Sequence, residues 1–593
     1  MRLLSFLAVL PLVLAAPQIH NASFTPDHVL RVTAQNISVN CESRYSVIIN
    51  GTAPAPQLTL KQGEPVWIRV YNDIVDQNVT VHWHGLSQRA APFSDGTPQV
   101  SQWPIPPAHY FDYELFPDAA GTYFYHSHVG FQAISAYGPL IVQPCGKPAH
   151  KYDEDIVFAL GDYYNKTDAQ VEKGLLANPF VWSGETVALL VNGQSGTSLT
   201  KGYNSTCAPH VLKVKPDTKY RIRFIGNTAI SLITLGVEDH ANLTIIEADG
   251  ADTKPYDVSH LQVASGQRFS IILHTKTAAE LASTNKTNFW IRLENRERPA
   301  NVSAYALLQY DIPSASALPS TLPTTPPVTL PQIVYNWLEY ALSPLDPAAD
   351  PMPTKADRTV TITTHQYGTQ NATTGAFTST LEWGQNDNIW QEERVPVPYL
   401  VDVYKRGEAA VPDYDVAIKH GGWDPKNLAY AARVGEVLDI IWESNNAPTG
   451  GWDIHPFHAH GVHYWDLGSG NGTYNATANE EKLKGYDPMK RDTTMLYRYA
   501  ASGVKNTTAG WRAWRIKVDE AGAFMLHCHI LQHLIMGMST AWVAGNYTDL
   551  QKIWPEPPYI TGYLDYGGSA YGNETYDPIV NHYYPASSET CRP

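Results

Sequence analysis

Four pairs of histidines spaced two residues apart constrain this chain more than any other feature: His82/His84, His126/His128, His458/His460 and His527/His529. Chance placement of 22 histidines in 593 residues would give about one such pair. A spacing of two puts both rings on one side only where the backbone is extended, because side chains alternate faces along a strand. The pairs therefore call for strands. The fourth pair encloses a cysteine in Phe524-Met-Leu-His-Cys-His-Ile-Leu-Gln-His533, with Met538 five residues on. In an extended segment Cys528 points away from His527 and His529, so one tripeptide can serve two sites. The thiolate of Cys528, the rings of His455 and His533 and the thioether of Met538 are the ligand types of a blue-copper electron-transfer site.

Short runs rich in Val, Ile, Thr and Tyr recur along the chain, among them Val66–Tyr71, Val79–Trp83, Tyr220–Ile225, Phe269–His274, Val360–Thr364 and Val437–Trp442. Gly, Pro, Asn and Asp break them at intervals typical of β-sandwiches and barrels, and helical periodicity is scarce. The Pro/Ser/Thr-rich stretch Pro313–Pro331 reads as an exposed connector, and Cys145–Asp153 as a weaker boundary. The chain divides into three β domains at about 17–148, 149–320 and 330–593, the last ending in an irregular Tyr/Pro/Gly-rich tail, Pro555–Pro593.

Residues 1–16 read as a secretory signal peptide: Arg2, an apolar run from Leu3 to Leu14, then Ala15-Ala16. No later apolar run has membrane length, and fifteen N-x-S/T sequons fit an exported, N-glycosylated chain. A net charge of −15 argues against a nucleic-acid partner. With Cys528 set aside as a ligand, Cys41, Cys145, Cys207 and Cys591 allow two disulfides in three connectivities.

Two of the histidine pairs lie in the first domain, two in the last and none in the middle. Eight histidines converging between first and last domains would build one polynuclear site there, with His455, Cys528, His533 and Met538 forming a separate mononuclear site. A single histidine is ordinarily a surface or satisfied core residue; a set with this spacing is not. Zinc competes as the metal, but paired imidazoles at two sites with one cysteine and one methionine suit copper better than a tetrahedral zinc centre.

H-W-H-G (His82–Gly85), H-S-H (His126–His128), H-P-F-H-A-H (His455–His460) and H-C-H-I-x-x-H-x-x-x-G-M (His527–Met538) resemble, in order, the four copper motifs of the multicopper oxidases. Within that family the chain is most similar to ascomycete laccases, those of spore-pigment type in particular, through Ser101–Ile105 and H-C-H-I-L-Q-H. The resemblance covers the mature chain and implies an all-β fold of three cupredoxin-like Greek-key β-sandwich or barrel domains with four copper ions. It gives type 1 copper to His455, Cys528 and His533 with Met538 axial, and type 2 copper to His82 and His458. The type 3 pair falls to His84, His126 and His529 on one ion and His128, His460 and His527 on the other. It implies one-electron oxidation of phenolic small molecules, pigment precursors among them, at type 1 copper. Electrons then pass through Cys528 to its flanking histidines and reduce O2 to water, in a protein secreted to the cell exterior, wall or spore surface.

Asp95, in F-S-D-G, matches an acid that delivers protons near type 2 copper in laccases; the plain reading is a turn residue. Met538 stands where many laccases have Leu or Phe, and a coordinating thioether lowers the copper potential. Cys41 and Cys207 match an inter-domain disulfide of relatives such as ascorbate oxidase, which leaves Cys145 for Cys591. Trp103 occupies the position of a laccase cysteine that is bridged to the C-terminal region. Arg223–Ile230 offers no acid to anchor a substrate, and Ser588–Pro593 resembles no laccase C-terminal plug. Three other readings share part of this pattern: a ferroxidase, which needs carboxylates beside type 1 copper; an ascorbate oxidase, which shares Met538 and the Cys41/Cys207 pattern; and a non-enzymatic wall protein, which would have lost ligands.

Overall fold

A computed structural model of the protein describes residues 17–88, 91–447, 450–500, 503, 507–553, 556–557 and 562–584. The expected signal peptide, Cys591 and the Ser588–Pro593 stretch lie outside these. Apart from one two-stranded sheet, the described strands group into three pairs of sheets that follow the chain. The first pair sets the sheet built on His28–Val39 and Val66–Asn72 against the one holding Gly121–Ser127 and Val81–His84. The second comprises a six-stranded sheet centred on Lys219–Asn227 and a five-stranded sheet around Asn288–Arg296. The third pairs a six-stranded sheet through Val437–Asn445 and Thr508–Lys517 with another running Trp423–Asp424, Ala429–Ala432, Ser539–Ala544, Gly522–Cys528, His455–Ala459 and Thr493–Leu496. All six β runs read from the sequence lie on or overlap strands. Sequence patterning missed short helices such as Tyr399–Arg406 and Ala476–Leu483, too brief to show a periodic apolar stripe.

Register positions the histidines. His82 lies opposite His126 across one antiparallel ladder, and His458 opposite His527 across another, with Phe457 opposite Cys528. Each ladder thus aligns two pairs, and alternation sends Cys528 to the other face. The second histidine of three pairs lies just past its strand: His128 follows Gly121–Ser127, His460 follows His455–Ala459 and His529 follows Gly522–Cys528. Their main chain stays in the lattice, the His460 and His529 N–H groups donating to the Met525 and Pro456 carbonyls at 3.0 and 2.7 Å.

The cores are not private to each sheet pair. Phe131 and Ile134 from the first part and Tyr164 and Ile230 from the middle pack in one cluster with Trp442, Phe457, Cys528 and Met538. Between the sheet pairs, Arg268 makes a fully buried two-pronged ion pair with Asp492 at 2.6 and 2.5 Å. The Cys41–Cys207 disulfide joins the first part to the middle one. Cys145 is also disulfide-bonded. The connector 313–331 is mostly exposed and is tied down at its end by Arg292 and Arg296, which donate to the Val328 and Pro331 carbonyls. No helix among the described residues is long and apolar enough to cross a membrane.

Within the C-terminal stretch, the described residues 562–584 have little regular structure but are closely docked on the first part. Ile579–Val580 pairs with the N-terminal Gln18–Ile19, and Tyr563, Tyr571 and Tyr583 are buried in the first core. The hydroxyls of Tyr563 and Tyr571 donate to the carbonyls of Ser101 and Trp103 at 2.5 and 2.7 Å. Where the resemblance would put a disulfide to this region, two hydrogen bonds hold Trp103, the second from its own indole N–H to the Leu564 carbonyl. The contact is completed by His582, whose Nε2 lies 2.9 Å from Nε2 of His20, itself hydrogen-bonded to Asp112. Burial, with His20 alongside, pushes His582 down to about 4 from 6.5. A depressed histidine contributes stability that is present above the unfolded value and lost as pH falls through the folded one. Lowering the pH from about 6.5 to about 4 should therefore cost the wild-type protein more melting temperature than His582→Phe; equal slopes for the two would refute the contribution.

Candidate metal centres

The eight paired histidines are all buried, none exposed beyond 3%, in the crevice where the first and last parts meet. Ligand atoms within 4.8 Å of one another form the groups His128/His460/His527, His82/His84/His126 and His82/His458/His460. The first group coincides with one set implied by the resemblance, while the others divide the remaining rings differently. His529 joins the cluster with its ring 4.9 Å from that of His84 and 5.3 Å from that of His126. A separate group of His455, Cys528 and His533 lies in the core of the last part. Sγ of Cys528 is 3.7 Å from Nδ1 of His455 and 3.6 Å from Nδ1 of His533, and the two nitrogens are 3.2 Å apart. Met538 is fully buried in the same core, and its backbone bonds to Cys528 and His533. Gly537 before it has φ +103°, in the left-handed region that favours glycine.

Hydrogen bonds decide which nitrogen of each ring is free. Nδ1–H donates to the Asp95 carbonyl in His82 (2.7 Å), to Ser127 in His126 (2.8 Å), to Asp492 in His458 (2.9 Å) and to Cys528 in His527 (2.9 Å). His529 Nδ1 donates to the Ser265 hydroxyl at 2.8 Å, and His460 Nδ1 to the Asp95 carboxylate at 2.9 Å. His84 is reversed, with Nε2 toward Asp492 at 3.3 Å. The opposite nitrogens, Nε2 of His82, His126, His458 and His529 and Nδ1 of His84, are buried without a partner, as are both nitrogens of His128. Nε2 of His460 faces Nε2 of His527 at 2.9 Å. Buried nitrogens left unpaired together are costly unless something binds them, and a converging set of lone pairs fits metal ions.

Electrostatics agrees. Burial first, and neighbouring imidazoles next, hold His126, His128, His527 and His529 well below their usual range and push His460 down to about 3. The rings are therefore neutral, the form that binds metal. Burial pushes the Cys528 thiol well above its ordinary value, so its thiolate needs a cation to hold it. His84, His458 and Asp492 also come within 4.8 Å of one another. That group is not an ion site of its own, because the Asp492 carboxylate already receives the Arg268 guanidinium.

Asp95 is no surface turn. It closes the 3₁₀ turn Pro92–Ser94, is fully buried, and has one carboxylate oxygen that accepts no hydrogen bond but lies 3.3 Å from His82 Nδ1. Burial works to raise it, but His460 and His82 hold it well below the usual carboxylate range. Thr97 bridges the two, its hydroxyl donating to Asp95 at 2.5 Å and lying 3.0 Å from His460 Nδ1.

Sequence reasoning missed the residues that orient these rings: Asp492, Thr493, Ser265 and Thr97. They follow no spacing rule, and Ser265 belongs to the middle part, which has no histidine pair. It also missed Asp453, two residues before His455. Its carboxylate lies 3.4 Å from His533 Nε2 and, with Glu185, brackets Arg298. Burial works to raise Asp453, and Arg298 holds it far below the usual range. Its adjacency to the motif was the one available signal.

Asp492 serves both Arg268 and the rings of His84, His458 and His463. Asp492→Asn removes the two-pronged partner of a buried guanidinium and leaves it Asp249 at 3.5 Å, so it should cost about 3 kcal/mol and lower the copper bound per chain. Thermal melts and metal analysis check this; wild-type values for both would rule out the role.

Models of the multicopper oxidase family match residues 31–146, 154–313 and 398–547. The chain is 52% identical to multicopper oxidase aurL2 of Gibberella zeae over 98% of this chain and 99% of that one. It is 42% identical to laccase-like multicopper oxidase 1 of Thermothelomyces thermophilus over 98% and 96%. Its fold matches that of the laccase from Botrytis aclada with a TM-score of 0.64, at 23% identity over 89% and 90% of the two chains. Three cupredoxin-like domains and converging histidine clusters thus have one source: the chain belongs to the multicopper oxidase family, and copper is its cofactor.

Proposed function

We propose that the chain is a secreted laccase-like oxidase that takes single electrons from phenols, pigment precursors among them, and passes them to O2. The observation that carries this reading is the junction at Cys528. Its thiol faces His455 and His533, while the residues on either side belong to the eight-histidine cluster. In this reading His455, Cys528, His533 and Met538 would hold type 1 copper, and His82 and His458 would hold type 2. His84, His126 and His529 hold one type 3 ion and His128, His460 and His527 the other, in domains bounded at about 17–148, 149–320 and 330–593. Copper bound there supplies the one-electron chemistry.

The residues do the rest. His533 presents Nδ1 to the thiol and Nε2 toward Asp453, whose side chain is about a quarter exposed. A phenol against that edge would donate its O–H to the ionised Asp453. Covalent continuity from Cys528 to His527 and His529 gives a through-bond route inward. Asp95 is placed to hold or pass a proton between His82 and His460. A ferroxidase reading would use Glu185 and Asp453 as iron ligands, but Arg298 occupies both, which favours an organic donor. That same guanidinium, together with Met538 and the Cys41–Cys207 disulfide, favours an ene-diol anion such as ascorbate.

Oxygen uptake with a panel of phenols, naphthols, ascorbate and Fe(II) should show the highest kcat/KM among the phenols and naphthols. Preference for ascorbate or Fe(II) would replace the reading by one of its rivals. Asp95→Asn should slow O2 reduction about a hundredfold or more while anaerobic bleaching of the blue band keeps its rate; unchanged turnover removes Asp95 from the proton path.

A further inference from the structure

A cavity lined by none of the residues His455, Cys528, His533 and Met538 lies in the last part of the chain. It measures about 320 Å3 and opens between the two sheets of the last sheet pair, at the end facing the first and middle parts. That volume is in the range of sites for small organic ligands. Leu438 and Ile440 share one face of Val437–Asn445, and Phe524 and Leu526 share one face of Gly522–Cys528, so the period-2 pattern turns all four inward. Trp542 adds an indole to the wall. Sheets that pack face to face ordinarily interdigitate at this depth. Here they leave an uncovered apolar chamber.

One wall is polar and incomplete. Gln88, only 3% exposed, lines the chamber, and its side-chain Nε2 has no hydrogen-bond partner. A buried amide donor without an acceptor is costly, and filling the chamber with water would satisfy it only by wetting an aromatic cavity. The charged groups at the mouth are already engaged: Lys517 pairs with Asp519 at 2.7 Å, and Lys490 pairs with Asp350 and lies over the Trp465 ring. His460, whose Nε2 faces His527, also lines the chamber, so an occupant sits beside the histidine cluster.

We propose that this chamber is a second organic-ligand site, for a neutral, flat aromatic compound bearing a carbonyl group. The ring system fills the space between the sheets, and the carbonyl oxygen accepts the Gln88 N–H. Ligands of this class include aromatic ketones and quinones. Bound there, the ligand lies beside His460, at the edge of the histidine cluster.

The probe is 1-acetonaphthone, with 1-ethylnaphthalene as the hydrocarbon of the same shape, titrated into resting copper-loaded enzyme and followed by tryptophan fluorescence and calorimetry. The ketone should bind at one saturable site, about five- to tenfold more tightly than the hydrocarbon. Gln88→Leu should bring the ketone down to the hydrocarbon's affinity. Ile440→Trp or, independently, Leu438→Phe should remove binding of both with copper content and blue absorbance intact. With ketone bound, return of the blue colour on admitting O2 should slow several-fold while anaerobic bleaching by a phenol keeps its rate. Absence of saturable binding, equal affinity for the two probes, indifference to Gln88→Leu, or slowed bleaching in place of slowed reoxidation would each overturn the proposal.

Discussion

The division of labour between the two nitrogens of each buried imidazole is the constraint on which this structure depends. In His82, His126, His458 and His529 one nitrogen donates to a fixed protein oxygen, and the other is left bare toward a common space; His128 leaves both bare. Burial keeps His126, His128, His527 and His529 neutral, and neutrality leaves their lone pairs available. The arrangement is costly in the absence of metal, so each fixed oxygen needs a rigid platform. That explains why carbonyls of ladder and loop residues, and hydroxyls as remote as Ser265 in the middle domain, take part. It also explains why a fully buried arginine, Arg268, lies nearby: Asp492 orients imidazoles on one side and must be neutralised on the other.

The same alternation of strand faces separates two chemistries across one peptide. His527 is held in register with His458, and Cys528 in register with Phe457, so the thiol enters the apolar core while its neighbours face the crevice. The core that receives Cys528 includes side chains from all three domains. Movement of one domain against another would therefore disturb both sites together.

Much of the fold was legible because strand period and turn residues are local properties. Val66–Tyr71 and Val437–Trp442, for example, are strands in the structure. The gathering of the paired histidines was legible because pairing on one face of an extended backbone imposes a spacing of two. The short helix Tyr399–Arg406, the docking of Tyr563 and Tyr571 on the Ser101–Trp103 loop, and the Asp453–Arg298–Glu185 cluster were not legible. Each arises from contacts between segments tens to hundreds of residues apart, which leave no periodic mark.

By itself the sequence determined the candidate ligand types, the pairing of the histidines and the need for β-strands, since these follow from ring spacing and backbone geometry. Only the tertiary structure decided which nitrogen of each histidine is free. It also decided that Asp95 is buried between two of them and that the carboxylate beside His533 comes from Asp453. It alone left a partly polar chamber between the sheets of the last domain. Those outcomes depend on which oxygens, guanidinium groups and ring faces long-range packing brings within hydrogen-bonding distance, and no local pattern encodes that.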